Sequence, residues 1–134
     1  MKRILLLVAT LSIALSARSF GALGDTEEQV ADLFGKAVDV GFPDKRGVST
    51  NRYQKGNYII LVQFLSHLSL AESYTRVDKQ EFSQDEISGL LEGSSNDLGW
   101  TKDPDKLAWE RDDHKARAWC DTLSGRPTFL IQAK

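Results

Sequence analysis

The hydrophobic and polar positions change period along the chain. Residues 4–17 are almost wholly apolar, broken only by Thr10, Ser12 and Ser16. From Thr26 the period becomes helical, with apolar residues at Val30, Leu33 and Phe34, and from Ser83 it repeats at Ile87, Leu90 and Leu91. Four, seven and eight positions from each start, these residues form one stripe on a helix. Thr26-Glu27-Glu28-Gln29 and Ser83-Gln84-Asp85-Glu86 are capping boxes, in which the hydroxyl and the fourth side chain satisfy each other's backbone amides. Gly35 and Gly93 supply the stops. Phe82 precedes the second cap and is placed to staple onto Ile87. Both helices are too short to stand alone in water, so each must lie on something.

Between and after them the pattern is that of strands. Thr50–Gln54 leads through Lys55-Gly56-Asn57 to Tyr58–Leu65, and Ser66-His67 turns the chain into Leu68–Val77. In the second half, Gly99–Lys102, Lys106–Arg111, Lys115–Asp121 and Thr128–Ala133 are separated by turns at Asp103-Pro104-Asp105, Asp112-Asp113-His114 and Ser124–Pro127. Lys115–Asp121 alternates, with Ala116, Ala118 and Cys120 on one face and Lys115, Arg117, Trp119 and Asp121 on the other. The small residues suit close helix-on-sheet packing, so their face is assigned to the core. The expected fold class is α+β: two tandem helix-plus-antiparallel-meander modules, about 23–80 and 81–134, with the helices on one face of the sheet.

Residues 1–21 stand apart from this plan. Lys2 and Arg3, the apolar run and the small residues after it have the order of a secretory signal. The run is short of the roughly 20 residues that span a bilayer, which favours a cleaved signal over a membrane anchor. Ala14 and Ser16 suit a cut after Ser16, and Ser19 and Gly21 suit one after Gly21. Domain 22–134 then carries 14 basic residues, because Lys2, Arg3 and Arg18 are lost from 17, against all 19 acidic ones, a net charge of −5 rather than −2. An acidic domain without a basic stripe is a poor partner for nucleic acid or anionic lipid. With 41% apolar residues and 27% charged, the composition excludes disordered and fibrous classes. One cysteine excludes an internal disulfide and a cysteine zinc cage.

Gly24-Asp25-Thr26, Gln29-Val30 and Leu33-Phe34-Gly35, followed by a hairpin with Tyr58, Ile60, Val62 and Phe64, resemble the SmpA/OmlA (BamE-like) group of outer-membrane assembly lipoproteins over residues 23–77. The β-lactamase-inhibitor-protein fold is similar in its tandem helix-plus-sheet modules. The chain departs from the family pattern in having no lipid-bearing Cys, hence no lipid anchor, and in having Ala37 where a Pro usually closes the Gly-x-Pro. The resemblance implies a non-enzymatic envelope protein that contacts other proteins.

No residue set presents itself as catalytic, cofactor-binding or metal-ligating. Cys120, on the small-residue face, reads as a buried small hydrophobe. His67 and His114 occupy hairpin tips, where histidine tolerates left-handed backbone. Asp112, Asp113 and His114 are adjacent on one turn and would need contortion to meet at one ion. The acidic pairs Glu27-Glu28 and Asp85-Glu86 complement helix dipoles. No nucleophile elbow, phosphate loop or dinucleotide fingerprint occurs.

What remains is aromatic. Trp100, Trp109 and Trp119 fall close together, and Trp109, Arg117 and Trp119 are the partner-binding candidates, since Trp and Arg dominate interface hot spots. A hairpin turn centred on Asp113 and His114 opposes Trp109 to Ala118, whereas a one-residue bulge opposes it to Trp119. The expectation is an exported, periplasmic or secreted protein that binds a protein partner, as an envelope assembly partner or a secreted inhibitor. The alternatives are a carbohydrate or peptide binder using the Trp-rich sheet and, further off, a hydrolase.

Overall fold

A computed structural model describes residues 21–134. The expected secretory signal, residues 1–21, lies outside the described residues except for Gly21. Helix α1 (Glu27–Phe34) is followed by β1 (Asp39–Val40), β2 (Val48–Lys55), β3 (Tyr58–Leu65) and β4 (Leu68–Arg76). Helix α2 (Gln84–Gly93) is followed by β5 (Trp100–Lys102), β6 (Ala108–Arg111), β7 (Ala116–Leu123) and β8 (Arg126–Ala133).

The expectation of two tandem helix-plus-meander modules is corrected. Among the described residues the strands form one eight-stranded antiparallel sheet in the order β1-β2-β3-β4-β8-β7-β6-β5, accompanied by two short helices of 8 and 10 residues. The cause is a long-range pairing with no local signal. Ala71–Thr75 of β4 pair with Thr128–Gln132 of β8, so the last strand of each half closes the edge of the other. An unpaired edge of that length would expose a row of backbone donors and acceptors, and pairing removes two such edges at once. The described residues are therefore mainly β, and β1, a two-residue strand the sequence did not announce, caps one end by pairing Asp39 with Arg52 and Val40 with Asn51.

One core follows from one sheet. Val30 and Phe34 of α1 and Ile87, Leu90 and Leu91 of α2 join a single buried cluster with Tyr53, Ile60, Val62, Tyr74, Trp109, Ala118, Phe129 and Ile131. Both capping boxes are formed, at Thr26/Gln29 and at Ser83/Glu86. Each cap hydroxyl satisfies one orphan amide, so Thr26→Ala and Ser83→Ala should each lower stability by about 1 kcal/mol in chemical denaturation. The hairpin tips are left-handed, with φ of 52° and 66° at Ser66 and His67 and 61° at His114.

The β3–β4 hairpin is tied to the start of α2 by charge. Arg76 reaches Glu86 and Asp78, each at 2.6 Å, and the Tyr58 hydroxyl donates to Glu86. Burial, and then the hydrogen bond to Glu86, push the Tyr58 phenol up to about 12. Burial alone would raise Glu86, but the Ser83 amide, the Tyr58 hydroxyl and Arg76 outweigh it and hold the carboxyl below its ordinary value. A phenol raised on folding favours the native state fully below its unfolded value near 10, and that support disappears as the pH climbs towards 12. Stability should therefore fall across that alkaline window, and Tyr58→Phe should flatten the fall. Denaturant midpoints measured at a series of pH values check it.

Candidate functional site

Because side chains alternate along a strand, the pairing registers decide which residues share a face. In the β6–β7 hairpin, Trp109 opposes Ala118, Glu110 opposes Arg117 and Ala108 opposes Trp119. The hairpin therefore has the unbulged register, and the three partner candidates separate. Trp109 lies on the helix side, 7% exposed, with its ring 5.8 Å from that of Phe129. Ala116 and Ala118, carrying only methyl groups, leave the room an indole needs on that side. Arg117 and Trp119 lie on the opposite face, which the helices leave uncovered.

On that open face one cross-strand row crosses seven of the eight strands: Ala108, Trp119, Leu130, Ser73, Leu61, Arg52 and Asp39, each paired with the next. Its middle stretch is apolar apart from Ser73. Trp119 and Leu130 are half-buried and Leu61 is 40% exposed. Its far end is an ion pair, Arg52 to Asp39 at 2.7 Å. The next row is polar, from Glu110 through Arg117, Gln132, Ala71 and Gln63 to Thr50. Arg117 joins the two rows. Its guanidinium sits 4.9 Å from the centre of the Trp119 ring and donates to the Gln132 side-chain oxygen at 3.2 Å. A cation over an indole face is attracted by the ring quadrupole, so the Arg117 side chain shields part of Trp119 from water.

Beyond Arg117 the face opens into a cleft of about 680 Å³, bordered by Thr101, Lys102, Asp112, Arg117 and Lys134. Glu110 lies within it and is contacted by Lys134 and by the His114 ring. The Lys134 ammonium, then His114, hold the Glu110 carboxyl below its usual range. The neighbouring turn residues take separate partners. Asp112 accepts from the Thr101 hydroxyl at 2.9 Å, and Asp113 binds the Arg111 guanidinium. The Asp112/Asp113/His114 run is thus spread over three directions. Cys120 is half-buried against the core, and burial pushes its thiol up, away from the reactive thiolate.

Leu130 faces Trp119 across the local β7–β8 hairpin, whereas Leu61 has no local sequence signal, because the β4–β8 pairing that aligns it with them joins residues far apart in the chain. A second exposed apolar set lies at the edge strand β1, with Val40 in it and Val38 and Phe42 on either side, Phe42 being 94% exposed. Its only sequence signal is the alternation in Val38-Asp39-Val40-Gly41-Phe42.

No protein-family model matches the chain, and no curated protein matches it at a significant level. Among solved structures, a cysteine-rich secretory protein from Staphylococcus aureus is similar at 18% sequence identity and a TM-score of 0.46. That likeness covers 84% of this chain and 44% of the staphylococcal one, so the chain spans less than half of that protein's length.

Proposed function

We propose that this chain is an exported, non-enzymatic protein that binds another protein through the open face of its sheet. The observation that carries the reading is the cross-strand row with Trp119, Leu130 and Leu61 at its centre and charged groups at its margins. An apolar centre with a polar rim is the anatomy of a protein interface, and Arg117 stacked on Trp119 is a preorganised pair of hot-spot residue types. The resemblance of residues 23–77 to the SmpA/OmlA group supports the same class of role.

Arg117→Ala combined with Trp119→Ala is the test. A photo-reactive residue at position 61 or 132 first crosslinks the partner in the exporting cell. The double variant should then keep most of its stability and lose the crosslink, with affinity falling by about 2 kcal/mol or more, the scale of a hot-spot tryptophan. Loss of stability with unchanged partner affinity for the folded fraction would show that Arg117 and Trp119 serve packing alone.

A further inference from the structure

We propose that the mature chain begins at Ala22 and that its new α-ammonium group docks on the buried carboxylate of Glu72; this rests on the export reading above. Glu72 is 2% exposed, in the middle of β4 and on the core face. The backbone nitrogen of Ala22 lies 3.0 Å from both of its carboxylate oxygens. The Tyr74 hydroxyl donates to one oxygen at 2.6 Å and the Ser94 hydroxyl to the other at 3.0 Å. Ala22 itself is fully buried, and its carbonyl accepts from the Ser69 hydroxyl. The following residues are stitched to β4, the Gly24 amide donating to the Ser69 carbonyl at 2.9 Å and the Ser69 amide to the Asp25 carbonyl at 2.8 Å. A single N–H placed between two carboxylate oxygens is a shared donor. An –NH₃⁺ at the same nitrogen has three hydrogens and a positive charge, which suits a carboxylate held away from water.

The sequence independently marks this bond. Ser19 and Gly21 are the small residues three and one positions before it, downstream of the apolar run. Hydrolysis by a signal-type peptidase adds water across the Gly21–Ala22 amide. Gly21 leaves with the carboxylate, and the Ala22 nitrogen keeps its hydrogen, takes two more and becomes the ammonium. Both residues are buried in the folded chain, so the cut must precede folding. Gly21 also supplies a diagnostic. Its φ is +86°, and a methyl group there would lie 2.4 Å from the Gly93 carbonyl carbon. An alanine at 21 therefore disturbs any mature chain that retains the position and is invisible in one that has lost it.

The experiment exports the full chain from a secreting host, as wild type and as Gly21→Ala, and reads intact mass and melting temperature of the purified product. The expected result is one mature mass, starting at Ala22, and one melting temperature for both. A product that starts upstream carries the extra methyl and melts lower, which overturns the inference and leaves export standing. Recovery of intact Met1 overturns the export reading and this inference with it. Docking is read separately, by amine-reactive labelling at neutral pH followed on the N-terminal peptide. Pairing with Glu72 keeps the amine protonated, so the native protein should label more slowly than the unfolded chain by on the order of tenfold or more. Glu72→Gln should restore fast labelling. Equal rates in native and unfolded wild type overturn the docking, whether or not Glu72→Gln folds.

Discussion

Trp109→Ala is expected to destabilise the protein by about 3–5 kcal/mol, the range for truncating a buried aromatic, while Trp119→Ala should cost distinctly less. The two residues sit one position out of register on adjacent strands, Trp109 opposite Ala118 and Trp119 opposite Ala108, and so on opposite faces. The Trp109 ring packs 5.8 Å from Phe129, which itself meets Phe82, 6.2 Å away. Removing the indole therefore leaves a void in the middle of the shared core, bounded on the sheet side by Ala118, whose methyl cannot fill it. Trp119 is half-buried under a side chain, Arg117, that can follow it or swing into water. Denaturant unfolding of both single variants checks the order. Equal losses would mean that the open face is as closely packed as the core and would count against a partner surface there.

Glu72→Ala should cost about 4 kcal/mol or more. Among the described residues, Ala22, Tyr74 and Ser94 each bring a buried donor to this carboxylate, and each one left without an acceptor costs about 1–3 kcal/mol. The loss should spread beyond the point of change. Ser94 follows the end of α2, and its carbonyl accepts from Arg111 of β6 at 3.0 Å, so the Glu72 site links β4, the segment before α1, the end of α2 and β6. Hydrogen exchange should show the amides of residues 22–25 and of the last turn of α2 opening together in the variant. Opening confined to β4 would show that the site is a local feature. Glu72→Gln should recover part of the stability, since an amide still offers one acceptor oxygen.

The sequence by itself determined what contiguous residues decide. The two helices start where Thr26 and Ser83 satisfy their own first turns, and the hairpins turn where Gly56, His67, His114 and Gly125 accept a left-handed backbone. The assignment of Arg117 and Trp119 to one face and of Ala116 and Ala118 to the other follows from the two-residue period of β7. Only the tertiary structure decided the rest, because it depends on which distant residues meet. That β4 pairs β8 turns the expected separate modules into one sheet, and no residue in either strand announces the other. Trp109 has the same composition of neighbours whether it faces core or solvent, and only the packing of the helices on its side buried it. Glu72 reads in β4 as an ordinary polar position, yet it lies at the core, where Tyr74 of its own strand is joined by donors from Ala22 and Ser94, segments that only folding collects. Hydrogen bonds of that kind carry no period and no local motif, so the sequence lists the participants and the fold alone assembles them.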